Sequence, residues 1–204
     1  YIDLKSPNGA HGTSKEAQDF YDNPQISFTL YKKKGKNYYG KGNYYTSQAT
    51  HNCYIIAKTN RTDEEIAQGM EPEVTNAKMY FAPAEDIHNY LDSRVLKQKT
   101  IKNIIDKYRN GWTNLDDVIE QVNSQGYDMR KKLDKRGRPL PDSYIITVPV
   151  PGERFGIDIA LNKYNEYRSD IRMFASTKMF HTKELRNVSK RQPINFPQGF
   201  KLNR

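Results

Sequence analysis

Patterns typical of strands occur towards both ends of the chain, and patterns typical of helices fill its middle. Residues 25–31 alternate polar and apolar side chains, and residues 144–150 form a β-branched run that predicts the clearest strand. Further strands are predicted over residues 77–82, 155–161 and 166–174. From about residue 85 to 125, apolar side chains recur at helical spacing in two stripes, namely Ile101, Ile104, Ile105 and Tyr108, then Leu115, Val118, Ile119 and Val122. Strands from both ends must then meet across the middle helices, so the sequence predicts an α+β fold.

The segments between these elements have weaker signals. Residues 47–58 suit a helix, because Ser47 is a plausible N-cap and Ala49, Cys53, Tyr54 and Ala57 fall on one helical face. Residues 128–142 are polar and contain Gly and Pro, which is typical of a solvated loop. We expect one domain over residues 1–180, followed by a basic tail over residues 181–204 that is extended or docked as coil.

Composition limits the classes of function. With 36% hydrophobic residues among 204, the chain can bury a sizeable core, and its net charge of +9 favours polyanionic partners. Cys53 is the only cysteine, so no intrachain disulfide or thiolate cluster forms, and we expect no metal site. No apolar run approaches the roughly 18 residues of a membrane span, so we expect no transmembrane segment. The first residue is Tyr rather than Met, which suggests a trimmed or excised product.

Two short motifs suggest a site for the nicotinamide end of a dinucleotide. The first is His11-Gly12-Thr13, and the second is Gly-Lys-Gly-Asn-Tyr-Tyr-Thr at residues 40–46, followed by Ala49 and Tyr54. Glycine after histidine lets a ligand approach the backbone closely, because glycine has no Cβ. Two tyrosine rings that face each other can hold a flat heterocycle between them.

Together with the 144–150 strand and Tyr164-Asn165-Glu166-Tyr167, these motifs resemble the ADP-ribosyltransferases of the diphtheria-toxin and poly(ADP-ribose) polymerase type. That family is marked by a His, Tyr, Glu triad, and the resemblance extends from residue 11 to about residue 175. It implies a split antiparallel β-sheet core and NAD as co-substrate. It also implies an enzyme that transfers one ADP-ribose to a macromolecule, protein or nucleic acid, or hydrolyses NAD when no acceptor is present.

The resemblance assigns roles to named residues. His11 would hold a ribose hydroxyl, and the backbone of Gly12, beside Thr13, would pair with the nicotinamide carboxamide. Tyr44 and Tyr54 would sandwich the nicotinamide ring.

Two of these roles have alternatives within the chain. Tyr45 can replace Tyr44 as the first stacking ring. Glu166 would carry the chemistry, since a carboxylate stabilises the oxocarbenium-like charge that forms on the ribose, and Glu153 is the alternative carboxylate. Tyr164 stands where arginine-modifying members have Glu or Gln, which disfavours an arginine acceptor. By family analogy, the basic chain fits a toxin or effector domain that is secreted or delivered into a target cell.

A second hypothesis is a non-catalytic module that binds single-stranded nucleic acid. No acidic residue occurs between Asp22 and Asp63. Basic residues in that stretch are interleaved with tyrosines, namely Lys32, Lys33, Lys34, Lys36, Lys41, Lys58 and Arg61 with Tyr31, Tyr38, Tyr39, Tyr44, Tyr45 and Tyr54. Lysines neutralise phosphates and aromatic rings stack on bases, whatever the sequence. A weaker idea is a metal-dependent nuclease, based on Asp3 and Lys5 after apolar residues, but the sequence identifies no second acidic ligand.

Overall fold

The computed structural model describes residues 2–5, 10–11, 15–35, 38–134, 136–165 and 167–194. The chain forms two compact units, the first from residues 1–26, 48–88 and 176–204 and the second from residues 27–47 and 89–175. The structure is 41% strand and 29% helix by residue, and its sheets are mostly antiparallel. This composition confirms the predicted α+β class. Among the described residues, no helix has the length and apolar character needed to cross a membrane.

The strands and helices follow one another in this order: β1 (Ile2–Lys5), β2 (Ala10–His11), α1 (Lys15–Asp22), β3 (Gln25–Lys33), β4 (Tyr39–Lys41), α2 (Asn43–Thr46), β5 (His51–Thr59), α3 (Asp63–Ala67), β6 (Val74–Pro83), α4 (Ala84–Leu91), α5 (Lys99–Arg109), α6 (Ile119–Asn123), β7 (Asp128–Leu133), β8 (Pro139–Pro149), β9 (Gly156–Lys163), β10 (Ser169–Ser176) and β11 (Lys190–Ile194). A π-helical turn at Asp92–Leu96 follows α4, and 3₁₀ turns occur at Asp116–Val118 and Thr177–His181.

The first unit is built on a sheet with strand order β1-β5-β6-β11, in which β2 also pairs with β5. Strands β1 and β2 run parallel to β5, whereas β6 runs antiparallel to β5 and β11 antiparallel to β6. An aromatic cluster supports this sheet, since the ring centroid of Phe180 lies 5.3 Å from that of Tyr80 and 6.0 Å from that of Tyr54. These rings pack in the apolar core of the unit.

The second unit is built on a sheet with strand order β4-β3-β10-β9-β8-β7. The predicted stripe on α5 is buried, which confirms that Ile101, Ile104, Ile105 and Tyr108 form its core-facing side. The buried Tyr144 hydroxyl accepts a hydrogen bond from the Leu115 N–H at 2.9 Å and donates one to Asp116 Oδ1 at 2.8 Å. This phenol therefore joins β8 to the segment that precedes α6.

The predicted helix over residues 47–58 is wrong, because residues 51–59 form strand β5. This strand pairs with β1 and β2 on one side and with β6 on the other. A central strand can bury consecutive residues, as β5 does at Asn52, Cys53 and Tyr54, and so lacks the alternation that identifies a strand in sequence. Ser47 caps no helix start and instead follows the end of α2.

The predicted loop over residues 128–142 is also wrong, because most of it forms the hairpin of β7 and β8. The Asp134 carboxylate accepts hydrogen bonds from the backbone N–H groups of Arg136 and Arg138 and so organises the turn. Strand β7 is an edge strand, where charged side chains discourage pairing with other chains.

Residues 190–194 of the predicted tail are extended, but they form strand β11, paired with β6, rather than coil. Pro193 fits there because β11 is an edge strand, where a missing N–H is tolerated. The division into a domain of residues 1–180 and a tail of residues 181–204 stays a prediction.

Candidate functional site

The predicted histidine motif lies at the end of a strand in the first unit. His11 is the last residue of β2, and its backbone pairs with that of Thr59 in β5. Tyr54 lies on the same strand β5, five positions before Thr59, which corresponds to about 17 Å along an extended strand. Gly12 and Thr13 lie outside the described residues.

The ring of Tyr54 is enclosed in the core of the first unit. Its exposed fraction is 0%, and it packs against Phe180. Neither face of this ring is open to a ligand in this structure. A stacking role for Tyr54 stays a prediction that requires its surroundings to open.

Tyr44 is also buried, in the second unit, with an exposed fraction of 3%. Its ring meets Phe28 edge to face at a centroid distance of 5.8 Å, and its hydroxyl donates a 2.7 Å hydrogen bond to Asp92 Oδ1. These contacts are those of a core tyrosine. A catalytic or stacking role for Tyr44 therefore stays a prediction as well.

The two candidate carboxylates differ in what the structure describes. Glu166 lies outside the described residues, so its predicted catalytic role stays a prediction. Glu153 is exposed in the turn between β8 and β9. Of the three candidate tyrosines, Tyr45 has the accessible ring, with 39% of its surface exposed.

The two glycines of the second motif have a packing role. A Cβ on Gly42 would lie 2.2 Å from the carbonyl oxygen of Thr29 in β3, which no side chain can do without moving the backbone. A Cβ on Gly40 would lie 3.1 Å from carbons of the Lys34 side chain. Gly42 thus allows the chain entering α2 to cross close over β3, where its N–H donates a 2.7 Å hydrogen bond to the Leu30 carbonyl.

This close approach aligns a series of rings and cations, which we call the Tyr31–Tyr45 surface and define as Tyr31, Lys41, Tyr45 and Arg109. The guanidinium carbon of Arg109 lies 3.9 Å from the ring centroid of Tyr31. The Tyr31 and Tyr45 centroids are 5.3 Å apart at an interplanar angle of 45°. The Lys41 ammonium lies 5.9 Å from the Tyr45 centroid. Two neighbouring rings therefore lie between two cations, from the end of α5 to β4.

The hairpin of β3 and β4 adds positive charge beside this surface. Tyr31 pairs with Lys41 across the two strands, and Lys32, Lys34 and Lys41 are exposed. Tyr38, between the strands, has 63% of its surface exposed. Burial and a hydrogen bond with Tyr31 raise the pKa of Tyr45, so this phenol stays neutral and does not oppose an anionic ligand.

The sequence identified the lysines and tyrosines of this surface but not Arg109. That residue is distant along the chain from Tyr31 and sits in the last turn of an ordinary amphipathic helix. Only the packing of α5 brings the guanidinium to the ring.

Among the described residues, no group of three or more His, Cys, Asp and Glu side chains is placed to hold a metal ion.

Comparison of the chain with protein-family models, curated proteins and solved structures finds no significant match.

Proposed function

We propose that the second unit binds single-stranded nucleic acid through the Tyr31–Tyr45 surface. The observation that carries this proposal is a pair of neighbouring rings, Tyr31 and Tyr45, with the Arg109 guanidinium on one and the Lys41 ammonium on the other. Aromatic rings stack on bases, and cations pair with the phosphates between them. Both kinds of contact need only features that every nucleotide has, so binding would tolerate most sequences.

The local charge supports a polyanionic partner. Residues 27–47 contain lysines at positions 32, 33, 34, 36 and 41 and no acidic residue. Asp106 accepts a hydrogen bond from Arg109 at 3.4 Å, but this carboxylate offsets one cation of the group rather than all of them. A phosphate chain that crosses the hairpin therefore meets a net positive surface.

A single strand fits this surface better than a duplex. In a duplex the base faces are covered by their neighbours, so Tyr45 has nothing to stack on, whereas unpaired bases can turn outward. Duplex DNA would retain the phosphate contacts alone.

Fluorescence anisotropy of a labelled single-stranded oligonucleotide tests the proposal. Stacking on one ring is worth about 1–3 kcal/mol, so Tyr45→Ala should raise the Kd by roughly fivefold to 150-fold, and Tyr45→Phe, which keeps the ring, should change it little. Lys41→Gln should reduce the slope of log K against log salt by about 0.7, the value for one phosphate contact on a single strand. Lys99→Gln, an exposed lysine at the start of α5, is the matched charge control. Affinity independent of salt, or equal losses in Tyr45→Ala and Tyr45→Phe, would overturn the proposal.

A second candidate function is NAD-dependent mono-ADP-ribosyl transfer. It is favoured by the position of His11 at the end of a sheet strand, followed directly by Gly12, as the resemblance to the diphtheria-toxin type requires. Because Tyr44 is buried, Tyr45 is the better ring for nicotinamide in this hypothesis. Glu166 would stabilise the oxocarbenium-like charge, and the acceptor would be a protein or nucleic acid met by a secreted or delivered toxin or effector.

Release of nicotinamide from NAD tests this second candidate. The enzyme hypothesis predicts release that increases with cell lysate as a source of acceptor and that falls sharply in Glu166→Gln, since that carboxylate acts mainly in the transition state. Glu153→Gln tests the alternative carboxylate, which lies on an exposed turn. Absence of release under both conditions would refute the enzyme, and release unchanged in both variants would refute the assigned carboxylates.

A further inference from the structure

Helix α5 ends in a geometry that fixes the position of Trp112. Gly111 has a φ of +93°, a left-handed conformation that suits glycine. The Gly111 N–H donates to the Tyr108 carbonyl at 3.2 Å, and the Trp112 N–H donates to the Lys107 carbonyl at 3.0 Å. This pair of hydrogen bonds is the Schellman motif, which folds the chain back against the last helical turn. The indole is thereby held next to the helix that precedes it.

A shallow, open pocket of about 440 Å³ lies beside this indole. It is lined by one exposed face of α5 and its C-terminal extension, namely Asn103, Asp106, Lys107, Asn110 and Trp112. Trp112 keeps 44% of its surface exposed although the Lys107 ammonium lies 4.0 Å from its ring centroid. The ammonium covers one face of the indole, so a flat ligand can stack on that face only when the flexible Lys107 side chain moves aside.

The polar side chains of the pocket can read the edge of such a ligand. A carboxylate accepts about four hydrogen bonds, so Asp106 retains acceptor capacity beyond its 3.4 Å contact with Arg109. The amides of Asn103 and Asn110 each offer two donors and an acceptor. The pocket thus combines a stacking face, a pair of carboxylate oxygens and two amides.

We propose that this pocket binds a guanine base, with the base stacked on Trp112 and its N1–H and N2–H donors paired to Asp106. The inference rests on the proposed binding of single-stranded nucleic acid by the same unit. Guanine is the base whose pairing edge carries two adjacent N–H donors, which match the two oxygens of a carboxylate. Adenine, cytosine and uracil place acceptor atoms beside their donors, and these acceptors repel the carboxylate.

The charge balance at the end of α5 permits a nucleotide there. A helix C-terminus carries about half a negative charge, which disfavours phosphate. Lys107 and Arg109 in the last turn carry two positive charges, which exceed the combined negative charge of the helix end and the Asp106 carboxylate. Once it moves off the indole, the Lys107 ammonium can pair with the phosphate of the stacked base.

Trp112 is the single tryptophan of the chain, so its fluorescence reports this pocket directly. The full chain is titrated with a labelled oligothymidine carrying one central guanine and with the same strand carrying adenine, cytosine or thymine there, following both tryptophan emission and anisotropy. A base-edge pair of hydrogen bonds discriminates by roughly fivefold to 150-fold, so the guanine strand should bind tighter by that factor. Asp106→Asn should remove the preference without lowering the affinity for oligothymidine, since it also frees the Arg109 charge that Asp106 offsets. Asp117→Asn, a nearby exposed carboxylate, is the control.

The outcomes separate this inference from the proposed function. Strands that bind by anisotropy with no guanine preference and no change in Trp112 emission would overturn the guanine pocket and leave the Tyr31–Tyr45 surface standing. Guanosine monophosphate that quenches Trp112 while no strand binds would support the pocket and overturn the strand-binding proposal. If Trp112→Phe retains the preference for guanine and Trp112→Ala loses it, the result supports stacking on the ring at position 112. Preference retained in Asp106→Asn would overturn the assigned edge contact.

Discussion

Replacing Gly42 with alanine tests whether the Gly-x-Gly motif serves packing. A methyl group at this position would lie 2.2 Å from the carbonyl oxygen of Thr29 and 2.7 Å from its carbonyl carbon. Both atoms belong to the backbone of β3, so relief requires β3 and the start of α2 to separate. Gly42 has a φ of −86°, which alanine adopts readily, so lack of space is the sole cause of the expected damage.

The size of the effect follows from three contributions. Overpacking costs about 1–3 kcal/mol, and the absence of any flexible atom to move places Gly42 at the upper end. Separation of the strands also weakens the hydrogen bond from the Gly42 N–H to the Leu30 carbonyl, worth about 1 kcal/mol. Alanine restricts the unfolded chain and returns about 0.4–1 kcal/mol. We expect a net loss of about 3 kcal/mol in the free energy of unfolding.

Urea unfolding followed by Trp112 emission measures this loss in the second unit, where Trp112 resides. Gly40→Ala is the matched control, because its methyl would meet only the flexible Lys34 side chain at 3.1 Å, and we expect a change within about 0.5 kcal/mol. Equal stability of the two variants would refute the argument that the carbonyl of Thr29 dictates glycine at position 42.

Three further predictions concern stability and the pocket. Tyr144→Phe should lose about 1–3 kcal/mol in urea unfolding, because the Leu115 N–H loses its 2.9 Å acceptor in a buried site, whereas Tyr164→Phe on the surface should be neutral. A hydrogen bond from Lys131 and one from Tyr144 lower the pKa of Asp116 from 3.8, so the stability it contributes is present above that value and is lost as the pH falls through the lower folded pKa. The difference in unfolding free energy between the native chain and Asp116→Asn should therefore shrink between pH 5 and pH 2, and a constant difference would contradict this assignment. Gly111→Ala should lose about 1–2 kcal/mol because its φ is +93°, and it should weaken guanine binding measured by Trp112 quenching, an effect that Gly40→Ala should not share.

The sequence predicted the elements that bury one face. Strand β3 and helix α5 each expose one side to solvent, so their polar and apolar residues alternate with the period of the element. The α+β class followed from these two kinds of period. Strand β5 is paired on both sides, so its sequence lacks this alternation of polar and apolar residues. The apolar residues of 47–58 occur at helical spacing by coincidence.

The candidate site was less accessible to sequence reasoning because its parts come from separate segments. The lysines and tyrosines around the β3 and β4 hairpin predicted a basic aromatic region. In the structure, Lys41 and Tyr45 are exposed there. Tyr44, the neighbour of Tyr45, points into the core and bonds to Asp92, a contact that no local pattern encodes. Arg109 and Trp112 join the region through the end of α5, and nothing in their local sequence distinguishes them from an ordinary helix terminus.

The Gly-x-Gly motif bears differently on the two candidate functions. Glycine in a motif indicates that something approaches the backbone closely, but the approaching group can be a ligand or another strand. At Gly42 that group is the carbonyl of Thr29, so the glycine is already accounted for by the fold and gives no independent support to a dinucleotide. The Tyr45 and Lys41 side chains, by contrast, reach solvent, with 39% of the Tyr45 surface accessible, so packing accounts for them less completely. The NAD hypothesis therefore depends on His11 and Glu166 together with Tyr45, while the nucleic-acid hypothesis depends on side chains that β3, β4, α2 and α5 bring together at the surface.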